Sequence, residues 1–386
     1  MTLTKLFNDF FESEKGGVLL IICTIISLLL ANSSISESYL NLWHLKFAGL
    51  STENWINEGL MAIFFFLIGL ELKREIFVGE LSNIKNAMLP VFAAVGGMII
   101  PAAIFAFFNF GTVTQSGAGI PMATDIAFAI GILSLLGNRI PASIKILLTA
   151  IAVIDDLGAI IVIAVFYTTS LSFINLLIVL VIFGILLLLN HFKVHHLIFY
   201  IIGGIAMWYF MLHSGVHSTL AGILLAFTIP FGKGEKTSLS YKLQDWLHKP
   251  VALIILPLFA LANTAIVFRK GWDTGLAEPG SLGIFAGLIV GKPLGVFLFS
   301  FLAVSTGMCA LPLGLKWKHI LGIGFLAGIG FTMSIFITLL AYEDAALIIE
   351  SKISILLASV VSGILGYSWL KYVLKKGKPV LIKKIN

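Results

Sequence analysis

The chain has 386 residues, 59% of them hydrophobic and 11% charged, against about 45–50% and about 25% in soluble domains. A water-soluble globule is excluded. A bilayer core about 30 Å thick takes roughly 20 apolar residues as helix, so the length admits at most about a dozen crossings with short loops and leaves no room for a substantial soluble domain. The net charge of +6 does not point to nucleic acid, because the basic residues sit between apolar runs rather than along one face and read as topology signals.

In chain order, the N-terminal MTLTKLFNDFFESEKGG gathers Leu3, Leu6, Phe7, Phe10 and Phe11 on one helical face, with no small-residue cleavage site after it. This predicts a short interfacial helix rather than a signal peptide. Apolar runs then fall at 16–32, 56–72, 88–108, 120–136, 144–168, 173–190, 196–212, 216–230, 251–268, 281–303, 319–341 and 350–372. They predict an all-α polytopic membrane protein of about twelve transmembrane helices. Alternating the loops between two sides puts 20 of the 25 Lys and Arg, Lys73 among them, on one side. Lys46, Arg269, Lys270 and Lys352 fall on the other, and Lys292 lies inside a span. Both termini are therefore expected in the cytoplasm. Two outer loops are long, 33–55 and 269–280, and LNLWHLKFAGL in the first alternates enough to form a hairpin. Cys23 and Cys309 lie far apart with neither CxxC nor Cys/His spacing, so no disulfide framework or zinc site is expected.

Ionisable residues well inside apolar runs cost about 2.5–3.5 kcal/mol each on insertion scales and need a partner, a water cavity or a function. Four qualify: Asp125, Asp155, Asp156 and Lys292. In ILLTAIAVIDDLGAIIVIAVF the adjacent acids lie near mid-span, too deep for a short side chain to reach water. Neighbours on a helix point about 100° apart, so the two carboxylates line different walls of one cavity, with Ala152, Gly158 and Ala159 leaving room around them. Asp125 lies in GAGIPMATDIAFAIGIL. Pro121 removes a backbone donor there, and Thr124 and Asp125 can satisfy the backbone of an unwound segment. A break of this kind inside a membrane is tolerated only where it lines a cavity or is buried in protein.

Lys292, in AGLIVGKPLGVFLF, is flanked by Gly287, Gly291 and Gly295 at spacings of four, a smooth face for close packing. GLIVGKP is not a phosphate loop: its first glycine is one position too close and proline follows the lysine. The only mid-membrane counter-charges are the three Asp, which predicts a Lys–Asp pair. The eleventh run, HILGIGFLAGIGFTMSIFITLL, carries Gly322, Gly324, Gly328 and Gly330 and offers a second place for a helix to open. One interrupted span then falls in each half of the chain, within 88–168 and 281–372, the pattern of a transporter whose site lies where broken helices meet.

A carboxylate in a low-dielectric site is pushed toward its neutral form and a nearby ammonium pulls it back. Once ionised, its oxygens, with a Thr hydroxyl and unwound carbonyls, suit a small hard cation. Competition between a proton and a cation for the same oxygens, in a cavity open to one side at a time, gives exchange. If both acids lose protons to admit one monovalent ion, or if one acid and Lys292 do so, transport is electrogenic.

PMATDIAFAIGIL, AVIDDLGAIIVIA, SGVHSTLAGILLA, ILPLFALAN, GLIVGKPLG and GIGFTMSIFI, in this order over essentially the whole chain, resemble the NhaA family of bacterial sodium/proton antiporters, itself an example of inverted-repeat transporters. The resemblance implies twelve helices, with the fourth and eleventh discontinuous and crossing at mid-membrane. It implies a core bundle over about 88–168 and 281–372 and an interface and dimerisation part over about 16–72 and 173–268. Asp155 and Asp156 would bind Na+ or Li+ and protons, Lys292 would pair with Asp155, and Asp125 with Thr124 would compensate the helix ends. The resemblance further implies a homodimer in the lipid of the bacterial inner membrane, held partly by an outer hairpin within 42–56, with no cofactor, and activation as cytoplasmic pH rises. For that response it points to Glu71, Arg74 and Glu75 in GLELKRE and to His217 in SGVHSTLAG; the acidic position expected before the ninth helix is Gln244 here, beside Asp245.

Three rivals use similar residues. An intramembrane aspartyl protease needs its two catalytic Asp on separate helices, whereas these are adjacent and followed by Leu157 and Gly158. A cation channel can select with acidic pore residues, but no re-entrant filter segment is evident and Lys292 would repel ions. A sodium-coupled solute symporter would show solute-dependent sodium flux.

Overall fold

The computed structural model describes residues 13–137, 140–167, 171–232, 234–268 and 271–375. The interfacial helix expected before residue 13, and the topology-marking Arg139, Lys233, Arg269, Lys270 and the lysines after 375, lie outside the described residues. Lipid offers the backbone no partner but itself, so the apolar runs close their hydrogen bonds as helix. In order these are α1 (Ser13–Ala31), α2 (Ser36–His44), α3 (Thr52–Val78), α4 (Ile84–Asn109), α5 (Ile126–Ser134), α6 (Ala142–Phe166), α7 (Phe173–His191), α8 (Leu197–Leu212), α9 (Leu220–Thr228), α10 (Leu239–Asn263), α11 (Pro279–Ser305), α12 (Trp317–Ala327), α13 (Phe331–Ala341) and α14 (Ala345–Lys375). Among the described residues eight helical stretches are long and apolar enough to cross a bilayer, or up to ten if each of two bent pairs is one span: α1 with α2, at 115°, and α12 with α13, at 50°. The protein is a multi-pass membrane protein. α8 and α9 have 16 and 9 residues. α7 buries only Val179 and Leu186 and turns the rest of its apolar surface outward, as a helix facing lipid does.

The loop over 33–55 differs from the expected hairpin. Residues 36–44 are helical, because Tyr39 and Trp43, one turn apart, pack edge to face at 5.6 Å, and the Tyr39 hydroxyl reaches Ser27 Oγ and Leu261 O at 2.9 and 3.0 Å. Only β1 (Lys46–Phe47) and β2 (Leu50–Ser51) pair, antiparallel. Ala48 and Gly49, at φ 48° and 86°, turn the chain between them.

α4 and α11 form the tightest contact around the site. Gly96 and Gly295 meet backbone to backbone, so a Cβ on either would overlap the carbonyl of the other. The Gly287–Gly291 stretch of α11 is π-helical and Lys292 begins its α-helical remainder; Pro293 at the next position lacks the N–H that would have continued the ladder.

Two of the apolar stretches open. Residues 123–125 are extended between a 3-10 turn, Gln115–Met122, and α5, with Ala123 at φ −82°, ψ 151° and Asp125 at φ −84°, ψ 100°. Residues 328–330 separate α12 from α13. Gly328 is needed there for space: its Cβ would press on the Leu288 carbonyl and on Ser362 Oγ.

Candidate functional site

The two openings face each other. The Asp125 N–H donates to Ile329 O at 2.7 Å. Its Oδ1 accepts from the Phe128 N–H at 2.9 Å, capping α5, and its Oδ2 accepts from the Thr332 N–H at 3.1 Å and the Thr332 hydroxyl at 2.5 Å, at the start of α13. One carboxylate thus serves the positive ends of two helices. Thr124 Oγ1 lies 2.8 Å from Ala327 O, at the negative end of α12, and 2.7 Å from Asp155 Oδ2, and its single proton serves one of them at a time. Ser334 Oγ donates to Ile120 O at 2.7 Å and Ser359 Oγ accepts from the Phe331 N–H at 3.1 Å. The backbone groups released by both breaks are thereby met by side chains, as a low-dielectric interior demands.

Beside this crossing, Asp155 and Asp156 on α6 are 0% and 1% exposed. Of the three mid-span acids, Lys292 selects Asp155: its Nζ stands 2.5 Å from Oδ2, both side chains fully buried. Gly97 on α4 faces this lysine, and a Cβ there would press on Val296 Cγ2 at 3.1 Å and reach ordinary contact with Lys292 Cδ at 3.6 Å. Asp155 Oδ1 and Asp156 Oδ1 are buried without a hydrogen-bond partner among the described residues. Two uncommitted carboxylate oxygens beside a threonine hydroxyl are hard donors, the kind of group that small cations take.

At the N-terminal end of the first broken span, the Tyr167 hydroxyl donates to Ser116 O at 2.8 Å and the Tyr342 hydroxyl to Thr114 O at 2.9 Å.

The profile of the family described as Na+/H+ antiporter 1 matches residues 8–370. An antiporter named NhaA 1 from Flavobacterium johnsoniae is 63% identical over 98% of this chain and 100% of its own length. The NhaA antiporter of Flavobacterium psychrophilum is 65% identical over 97% of this chain and 98% of its own. The chain belongs to the NhaA family of Na+/H+ antiporters. Its family is one of transporters, not enzymes. The fold is also that of a sodium proton antiporter from Methanocaldococcus jannaschii, at a TM-score of 0.55 and 16% identity over 97% of this chain and 99% of that one.

Among the described residues, the NhaA residues expected to respond to pH form no hydrogen bond or ion pair with the carboxylate pair. Glu71 Oε1 is 3.3 Å from His248 Nε2 on α10. Arg74 lies over the Tyr241 ring at 5.0 Å, and Glu75 Oε2 accepts from the Glu80 N–H at 3.0 Å. Gln244 is buried, whereas Asp245 points to the exposed face of α10, so the neighbouring acid does not stand in for the missing one. His217 Nε2 lies 3.3 Å from Glu58 Oε1, and its ring meets Phe336 edge on at 5.3 Å.

Sequence reasoning placed Lys73 and Lys352 in loops; both are buried, at 5% and 7% exposure, and this is a correction. Lys73 Nζ donates to Phe227 O and Ile229 O at 2.8 and 2.7 Å, capping the end of α9. The sign available in the sequence is spacing: Lys73 follows Ala62, Phe66 and Gly69 at helical intervals, and these meet α9 at Gly222, Ile223 and Ala226. Glu58 was missed altogether. It accepts from Ser218 Oγ in a short hydrogen bond at the start of α9.

Proposed function

We propose that this chain exchanges Na+ or Li+ for H+ electrogenically across the bacterial inner membrane, by competition of cation and protons for Asp155 and Asp156. The observation that carries the reading is the pair of adjacent buried carboxylates beside two facing helix breaks, one acid tied to Lys292 and Thr124 and the other with no such partner. A cation takes the free oxygens of both acids, with the Thr124 oxygen and carbonyls of the breaks completing the set. Protonating either carboxylate removes its charge and turns an acceptor into a donor, so ion and proton exclude each other. A cation drawing Asp155 away from Lys292 also frees the ammonium to give up a proton, which supplies a second proton per ion.

The same reading takes the helices as twelve crossings with both termini cytoplasmic, the spans over 115–134 and 317–341 being the discontinuous fourth and eleventh. A core over 88–168 and 281–372 moves against 16–72 and 173–268, and two copies associate through the outer segment within 42–56. Alkaline activation acts through Glu71, Arg74, Glu75 and His217. In support, Glu71 and Arg74 bridge α3 to α10, where a change of charge shifts one helix against the other. Gln244 withholds one titrating group from that bridge and moves the threshold of activation.

The decisive test is collapse of a pH gradient in inverted vesicles on adding Na+ or Li+, repeated with Asp155→Asn and Asp156→Asn. Wild-type exchange by the double variant would sink the reading. Current across a planar membrane carrying the purified protein accompanies exchange if it is electrogenic, and exchange without current removes that part.

A further inference from the structure

Lys352 is the eighth residue of α14, two turns in from its start. It is 7% exposed, so it is not a lysine reaching out to the lipid headgroups. Its Nζ lies 3.4 Å from Oδ1 of Asn263, the last residue of α10. Asn263 Nδ2 donates in turn to Asn57 Oδ1, at 2.8 Å, in the first turns of α3. Among the described residues Lys352 forms no ion pair, and the acid that acts on it through space is Glu53. One long acceptor for three ammonium protons contrasts with Lys73, whose Nζ has two carbonyls within 2.8 Å. A buried ammonium so thinly held is poorly explained by stability. Lys352 joins α14 to α10 and, through Asn263 and Asn57, to α3, and all three helices carry these residues at the ends next to the loops assigned to the outer side.

We propose that Lys352 is the cation barrier of the outer seam, an ammonium held by Asn263 between α14 and the α3–α10 pair that keeps Na+ from reaching Asp155 and Asp156 from outside while the seam is closed. The inference rests on the exchange reading above. In the closed seam little water screens the ammonium, and its field opposes an entering cation; once the seam opens, water screens it and the barrier falls. An amide opposite suits this use because it holds the ammonium weakly and lets it go. A carboxylate at 263 would hold it shut.

Full-length wild type, Lys352→Met, Lys352→Arg and Asn263→Asp are reconstituted in liposomes. Sodium-driven proton movement is measured, and separately the downhill release of radioactive sodium at clamped potential without a pH gradient. Lys352→Met should release sodium about tenfold faster than wild type with no proton counterflow, and Lys352→Arg should stay as tight as wild type. Asn263→Asp should slow exchange several-fold at saturating Na+ and raise the melting temperature. A folded Lys352→Met as tight as wild type, or an Asn263→Asp that exchanges at the wild-type rate, overturns the barrier. Should Lys352→Met fail to fold, the Asn263→Asp result decides. A wild type that moves no protons on adding sodium overturns the exchange reading itself, whereas unchanged variants beside an active wild type overturn only the barrier.

Discussion

Lys73 and Lys292 are both buried lysines on long membrane helices, and their surroundings differ in one respect. Lys73 meets the closing carbonyls of α9, with 2.7 and 2.8 Å bonds and a third carbonyl, Ala226 O, at 3.5 Å. Glu58 of the same helix holds the other end of α9 through Ser218 and His217. A short helix is thus held at both ends by charges matched to its dipole, and the ammonium has acceptors for all its protons. Lys292 instead has one carboxylate oxygen, which Thr124 shares, and among the described residues Asp155 Oδ1 and Asp156 Oδ1 have no hydrogen-bond partner. A charge whose bonds are filled by backbone fixes a helix in place, while one left with spare acceptors nearby can trade partners, and trading partners is what ion exchange requires.

The sharpest way to break this contrast is to neutralise the acids. Asp155→Asn and Asp156→Asn should bring sodium-driven proton movement in vesicles to background with the helical content by circular dichroism unchanged, since both sites lose charge but little volume. Removing the lysines should separate the two regions. Lys292→Met leaves Asp155 buried without its counter-charge, at a cost of about 3–5 kcal/mol, and thermal melting should show most of it recovered in the Lys292→Met, Asp155→Asn double variant. Lys73→Met leaves neutral carbonyls unpaired, at about 1–3 kcal/mol, and should lower the melting temperature while leaving the apparent sodium affinity unchanged. A shift of sodium affinity by Lys73→Met would erase the distinction. Asp125→Ala strips caps from α5 and α13 together, each worth about 1 kcal/mol, and Asp125→Asn, which keeps an acceptor oxygen, should lose less in the same melting experiment.

How far this contrast was legible in the sequence depends on depth. Asp125, Asp155, Asp156 and Lys292 stand out because apolar residues surround them on both sides, and burial of a charge at mid-span demands an explanation wherever the chain folds. Lys73, Lys352 and Glu58 sit near the ends of their runs, where a side chain reaching water and one turned inward share the same pattern of neighbours; only the packing of α9 on α3, and for Lys352 the hydrogen bond to Asn263, decides between them. The same limit applies to Asp125. Its cap on α5 is local and readable from the residues after it, but Thr332 lies more than 200 positions away, and no spacing announces that one carboxylate serves both breaks. The alternation in LNLWHLKFAGL misled because aromatic packing at i and i+4 made residues 36–44 helical and left only 46–51 to pair.

The smallest effect belongs to the N-terminal end of the first broken span, where neutral hydroxyls meet backbone carbonyls. Tyr167→Phe removes the bond to Ser116 O and should cost about 1 kcal/mol near neutral pH. Melting curves of the two proteins at pH 8 should show the wild type ahead by the worth of this one bond, and coinciding curves would mean that water replaces the tyrosine at Ser116 O.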